Sequence, residues 1–101
     1  MSDNRVNYGK YYAVAASQTD AAISPGVAGD YLEGVLVIPA TVGGGAVTIK
    51  DGSTAVVSYP GGGTSALVDL KPFWIPIRAR CVNAGWKVTT GANVSVLASA
   101  T

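Results

Sequence analysis

The sequence has no histidine and a single cysteine, Cys81. Without histidine, the commonest general base of enzymes is missing. One cysteine cannot form an internal disulfide, and there is no second thiol or imidazole to build a zinc site. We place Cys81 on the inward face of a strand, where a thiol acts as a small hydrophobic group.

Carboxylates are also few. Two sets lie near turns and could in principle pair: Asp30 with Glu33, and Asp51 with Asp69. No motif links the members of either set, and carboxylates at exposed turns are ordinary. The sequence therefore predicts a protein that is not an enzyme, with no catalytic residues, no cofactor and no metal.

The chain has no large excess of positive or negative charge, and it has no long apolar run. The chain has 101 residues with seven basic and six acidic side chains, a net charge of +1. This balance lacks the basic footprint of nucleic-acid binders, so we expect the tyrosines to pack on a sheet rather than to stack on bases. The longest run of branched aliphatic residues, 35–38, is far shorter than the roughly 18 residues of a membrane span. Residues 1–10 lack the apolar core of a secretory signal, which predicts synthesis in the cytoplasm and no membrane partner.

Helical periodicity is absent, because no segment repeats apolar residues every 3.6 positions. About seven or eight short β-forming runs alternate with turn signals, which predicts an all-β antiparallel sandwich or jelly roll. We expect one domain over residues 10–101 and an extended N-terminal arm over residues 1–9. The expected strands lie at 10–16, 21–23, 31–38, 46–59 as a hairpin, 67–70 as a strand or bend, 72–82, 86–90 and 93–98.

The hairpin at 46–59 is the segment around which the chain is organised, because Asp51-Gly52 is a strong turn signal. A two-residue loop at this dipeptide would place Val47 and Ile49 on one face with Thr54, Val56 and Ser58. A three-residue loop at 50–52, with Gly52 left-handed, would place them with Ala55, Val57 and Tyr59. A slip of one residue moves the whole apolar set to the other face. We therefore predict the three-residue loop, which gives one apolar face.

Two further strand regions carry predictions about their faces. In 31–38, one face should hold Leu32, Leu36 and Ile38, and the other Tyr31, Glu33, Val35 and Val37. Both faces are apolar toward residue 38, so we expect both to be covered, by another sheet or by a partner chain. Residues 86–90 and 93–98 should form a last hairpin around Gly91-Ala92. Its expected inward set is Trp86, Val88, Val94, Val96 and Ala98.

The segment 72–82 is the strongest candidate for an interaction site. Alternation places Phe73, Ile75, Ile77, Ala79 and Cys81 inward, and Trp74, Pro76, Arg78, Arg80 and Val82 outward. Proline cannot donate to a ladder, so Pro72 and Pro76 predict an edge strand or a bulged strand. Trp74, Arg78 and Arg80 belong to the residue types enriched at interface hot spots. The alternative is that Trp74 folds over a neighbouring loop and the arginines are simply solvated.

Residues 31–98 also carry a series of motifs: Y-L-E-G-V-L-V-I-P, A-V-T-I-K-D-G, L-K-P-F-W-I-P-I and G-W-K-V-T-T-G-A-N-V-S-V-L. In this order they resemble small β-sandwich virion proteins of tailed bacteriophages, of the capsid decoration or cement kind. The resemblance implies a structural protein on the capsid surface that binds the major capsid protein and self-associates as a dimer or trimer. Such proteins frequently have an extended terminal arm.

The expected interface residues are Trp74, Arg78 and Arg80 of the sandwich, with Arg5 and Tyr8 of the arm. The alternative function is a carbohydrate- or receptor-binding module of a phage tail fibre, which uses similar sandwiches. Such a module predicts a concave site with an aromatic floor and converging Asp or Asn side chains.

Overall fold

The structure is a computed structural model that describes residues 10–40, 44–61 and 71–101. These residues form eight strands and no helix, which confirms the all-β prediction, and no helix among them could span a membrane. The expected arm at 1–9 and the expected strand or bend at 67–70 lie outside the described residues. The strands are β1 (Lys10–Val14), β2 (Ala21–Ala22), β3 (Tyr31–Pro39), β4 (Val47–Asp51), β5 (Thr54–Tyr59), β6 (Phe73–Arg80), β7 (Trp86–Thr90) and β8 (Val94–Ala100).

The strands form two antiparallel four-stranded sheets. The first sheet has the order β1-β8-β3-β6 and the second has the order β2-β7-β4-β5. Pairing is nested: β4 pairs with β5, β3 with β6, β2 with β7 and β1 with β8. This is the pattern of one long hairpin rolled into two layers, the eight-stranded jelly roll. The predicted sandwich or jelly roll is therefore confirmed.

The core lies between the two sheets and is built from alternate residues of the central strands, because successive side chains of a strand point to opposite faces. Its fully buried side chains include Leu32, Val35, Val37, Val47, Ile49, Val88, Val94 and Val96. The inward side chains of β5 and β6 are only half-buried, since both strands are sheet edges on the same side of the sandwich. There the rings of Tyr59 and Phe73 meet edge to face, 4.9 Å between centroids.

The β4–β5 hairpin matches its predicted face but not its predicted loop. Gly52 has a φ of 64°, and Ile49 lies opposite Val57, as predicted. The loop, however, contains two residues, 52 and 53, because Asp51 pairs with Thr54. A bulge follows at Val56, which is the extra residue between the pairs Ile49–Val57 and Lys50–Ala55. The bulge restores the alternation that the shorter loop would reverse, so the predicted three-residue loop and the predicted inward position of Ala55 are wrong.

A second bulge corrects the predicted faces of β3. The register shifts between Leu32 and Gly34 against both neighbouring strands. Leu32 therefore faces inward together with Val35 and Val37, which are all fully buried. Leu36 and Ile38 lie half-buried on the outer face, so the prediction that they share a face with Leu32 is wrong. Relative to β8 the extra residue of β3 is Glu33, and one inserted residue reverses the alternation of all that follow.

The expected last hairpin is not formed. β7 lies between β2 and β4 in the second sheet, and β8 lies between β1 and β3 in the first, so residues 91–93 cross between the layers. The predicted inward set is nevertheless correct, because Trp86, Val88, Val94, Val96 and Ala98 are all buried. Alternation shows which side chains face the core, and that set is the same for a hairpin and for a crossing connection.

Candidate interaction surface

The candidate surface begins at β6, which is the outermost strand of the first sheet, as predicted. Its side chains alternate between half-buried and exposed along the whole strand. Trp74, Pro76, Arg78 and Arg80 are the exposed set, again as the sequence predicted. Pro76 has no N–H, which discourages another strand from adding at this edge. A partner of β6 would therefore meet its outward side chains rather than its backbone.

Trp74 packs against its own sheet at Gly34. A side-chain carbon built at Gly34 would collide with indole carbon Cζ2 of Trp74 and would lie 2.6 Å from the carbonyl oxygen of Ile75. The indole thus occupies the space that only a glycine leaves open on the neighbouring strand. Even so, Trp74 remains 43% exposed. It is held in place by the sheet while still offering ring area to a partner.

Trp74 is one end of an apolar row that crosses the whole sheet. It lies opposite Leu36, which lies opposite Leu97, which lies opposite Ala13. Strands are spaced about 4.8 Å apart, so the row extends about 14 Å. In the next row the exposed ring of Tyr11 lies opposite Ser99. We call this outward side of β1, β8, β3 and β6 the outer face.

One end of the outer face is basic. The guanidinium carbon of Arg80 lies 5.7 Å from the centroid of the Tyr31 ring, and its Nη1 donates to the carbonyl of Gly29 at 3.1 Å. Arg78 Nε lies 3.5 Å from Glu33 Oε2. Two arginines and one glutamate give this group, the basic end, a local excess of one positive charge.

The pKa of Tyr31 reflects the charges of the basic end. Burial raises the pKa of its hydroxyl, and the charge and hydrogen bond of Glu33 raise it further. The positive charges of Arg78 and Arg80 oppose this effect but do not cancel it. Tyr31 therefore stays neutral at neutral pH.

The backbone is irregular at the same place. Leu32 pairs with Ala79 but Gly34 pairs with Pro76, so β6 has one extra residue opposite Glu33. Within this bulge Arg78 adopts a φ of 52°. Bulges redirect side chains and end ladder pairing, so this one sets the direction in which Arg78 leaves the sheet.

The carboxylate of Asp30 has a structural role instead of pairing with Glu33. Its Oδ2 accepts hydrogen bonds from Ser24 Oγ at 2.8 Å and from the backbone N–H groups of Gly26 and Val27 at 2.6 and 2.9 Å. The Asp30 carbonyl also accepts from Trp86 Nε1 at 3.0 Å. Burial raises the pKa of Asp30, but these hydrogen bonds outweigh it, and the net pKa is lowered. The group closes the 23–30 loop over one end of the core.

The other described candidates are also used within the fold. Asp51 accepts from the backbone N–H groups of Val82 and Asn83, both at 2.9 Å, and so attaches the hairpin turn to the 81–85 loop. The buried thiol of Cys81 donates to the Val27 carbonyl at 3.3 Å, consistent with its predicted inward position. Within residues 10–40, 44–61 and 71–101, no three potential metal ligands come together. Asp69, Arg5 and Tyr8 lie outside the described residues.

The structure thus brings Arg78 and Arg80 together with two residues that sequence reasoning did not assign to the site, Tyr31 and Glu33, and seats Trp74 on a third, Gly34. The isolated glycine in an apolar strand was the available signal, because such glycines often mark a close approach. Comparison with protein-family models, with curated proteins and with solved structures finds no match to this chain.

Proposed function

We propose that the chain is a non-enzymatic virion protein that binds and stabilises the assembled capsid shell of a bacteriophage, as a decoration or cement protein. The observation that carries the proposal is the outer face. It presents a seated but exposed tryptophan, an apolar row and a basic end on one layer of the molecule. Tryptophan and arginine are the residues that most often dominate interface energies.

The architecture supports the same proposal. Eight-stranded jelly rolls recur in viral capsid domains and in lectins. This is an analogy at the level of the fold, and a fold hosts many functions. The motifs in residues 31–98 that resemble decoration proteins add a second, independent line of support.

The chemistry of the polar groups also favours a structural role. Asp30 and Asp51 each accept two or more hydrogen bonds from the loops they close. Asp20 pairs with Lys50 at 2.7 Å on the surface of the second sheet. Each of these carboxylates holds a connection in place, at positions away from Trp74. A sugar-binding module, the alternative function, needs such groups to converge on an aromatic floor.

The start of β1 supports a contribution from the arm. Lys10 lies in one row with Ala100, Leu32 and Ala79. Arg80 is the next residue of β6, so residues 1–9 join the sandwich at the end of the sheet that carries the basic end. We propose that Arg5 and Tyr8 extend the same interface, and that two or three copies associate on the shell.

The proposal is tested by mixing the purified chain with shells assembled from the major capsid protein encoded in the same genome. Co-sedimentation gives the Kd, and electron microscopy of the particles shows the attachment position. Trp74→Ala should weaken binding by about 2 kcal/mol or more, roughly 30-fold, because it removes an aromatic anchor. The isolated chain should lose only about 1 kcal/mol, since the ring is half-exposed and a fully buried tryptophan would cost about 3–5 kcal/mol.

The matched control is Val56→Ala, which shortens another exposed apolar side chain, 51% exposed, on the second sheet. It should leave shell binding unchanged. A Trp74→Ala protein that melts early and yet binds normally would remove the outer face from the interface. Absence of binding by the unmodified chain would refute the proposed function itself.

A further inference from the structure

Arg78 occupies a backbone conformation that suits its residue type poorly. Its φ of 52° is left-handed, a region in which the side chain of an L-residue crowds the backbone and which glycine adopts freely. The other described non-glycine residues with positive φ are Ser17, Asp20 and Asn93. These have short polar side chains that can compensate by local hydrogen bonds. Arg78 is the one long side chain in this group of described residues.

Contacts with the other residues that the structure describes do not account for an arginine at this position. The pair with Glu33 spans 3.5 Å, and the two side chains are 70% and 43% exposed. Ion pairs of this kind between solvated side chains contribute little to stability. Arg80 differs, because it donates to a carbonyl and lies over an aromatic ring. Arg80 is used by the fold, whereas among the described residues Arg78 contacts a carboxylate through Nε alone, out of five N–H donors.

We infer that Arg78 is kept at the bulge because its guanidinium binds an acidic side chain of the shell protein. The inference rests on the proposed function and names the chemistry of its partner. A planar guanidinium binds a carboxylate through two parallel hydrogen bonds, which fixes orientation as well as position. The excess positive charge of the basic end favours an anionic group there, and the apolar row beside it covers the rest of the contact. The partner surface is therefore apolar, with a carboxylate at its rim.

The decisive variant is Arg78→Gly, because it relieves the backbone conformation while removing the guanidinium. Its melting temperature should equal or exceed that of the unmodified chain. Its Kd for the assembled shells should rise roughly tenfold or more, the loss expected for a bidentate anchor. Lys87→Gln is the matched control, since it removes one positive charge from β7 in the second sheet. It should leave the Kd within about twofold, because Lys87 lies on the other sheet and charges far from the contact are screened.

The acidic partner is tested directly by blocking carboxylates on the shells with carbodiimide and ethanolamine, with their integrity checked by electron microscopy. Blocking should raise the Kd of the unmodified chain to that of Arg78→Gly, and it should not raise the Kd of Arg78→Gly further. Glu33→Gln identifies the source of the carboxylate. If the carboxylate belongs to the shell, this variant binds as well or better; weaker binding would assign it to Glu33 of a second copy and overturn the inference.

Two other results would also overturn it. Normal shell binding by Arg78→Gly would show that the guanidinium is dispensable, and a clearly lowered melting temperature would make Arg78 a residue of the fold. Either result leaves the proposed function intact as long as the unmodified chain binds shells. Failure of the unmodified chain to bind shells would instead refute the proposed function. Measuring the unmodified chain beside each variant therefore separates the two failures.

Discussion

At the scale of single residues, a few pairs fix the positions of important side chains, either by close packing or by hydrogen bonds. Gly34 and Trp74 are such a pair, since the ring fills the space beside a backbone that has no side chain. Ser24 is another, because its hydroxyl donates to Asp30 and accepts from the N–H of Trp86 at 2.8 Å. The 23–30 loop and the start of β7 therefore meet through one buried hydroxyl and one carboxylate.

The Asp30 network predicts how stability depends on pH. Because the folded state lowers the pKa of Asp30, its carboxylate contributes stability that is fully present above the pKa of the unfolded chain, about pH 4. That stability is lost as pH falls from there through the folded pKa. Asp30→Asn should lower the free energy of unfolding at neutral pH by about 1–3 kcal/mol, because hydrogen bonds to a charged group are lost.

The measurement is the urea midpoint between pH 7 and pH 2. The difference between the unmodified chain and Asp30→Asn should shrink as the carboxylate is protonated. Asp20→Asn is the comparison: the hydrogen bond with Lys50 lowers the pKa of that carboxyl too, but the pair is exposed, so its pH-dependent difference should be much smaller than that of Asp30→Asn. A constant difference across the whole pH range would show that the charge of Asp30 is not what stabilises the loop.

At the scale of the strands, the sequence predicts side-chain direction better than strand partnership. Alternation correctly separated the inward and outward residues of β6, β7 and β8. It did not predict the extra residues Glu33 in β3 and Val56 in β5, because one extra residue changes neither composition nor turn signals. It also mistook the β7–β8 connection for a hairpin. The same limit applies to the site: Trp74, Arg78 and Arg80 were found on their own strand, while Tyr31 and Glu33 depend on a bulged register.

The edge strand β6 gives a prediction about association. Pro76 removes a donor from the outer edge of the first sheet, which hinders pairing with a strand of another molecule. Pro76→Val restores that donor and should change the free energy of unfolding by less than about 1 kcal/mol. It should increase self-association as the protein concentration is raised.

Light scattering across a concentration series measures this effect. Pro25→Val is the control, because it makes the same substitution in the exposed loop between β2 and β3. If both variants scatter like the unmodified chain, Pro76 does not protect the edge.

At the scale of the whole molecule, residues 10–101 contain the sandwich, and the arm stays a prediction. Deleting residues 2–9 should leave the melting temperature within about 2 °C, because this polar segment offers little to bury and the core of the described residues runs from Val14 to Ala100. Shell binding should weaken, since the arm would no longer extend the contact. Calorimetry and co-sedimentation measure the two effects separately, and a deletion that binds as tightly as the full chain would count against the arm.

The nested pairing also determines when the first sheet can form during synthesis. β8 lies between β1 and β3, so the first sheet cannot close until the ribosome has released the segment that ends at Ala100. Only β4 and β5 pair with a neighbour in sequence. Each further nested pair joins segments that lie farther apart along the chain. Folds dominated by such distant pairings take milliseconds to seconds to form. During synthesis β1 therefore remains unpaired, with its apolar residues exposed, until β8 has been made. The risk of misassembly is highest in that interval.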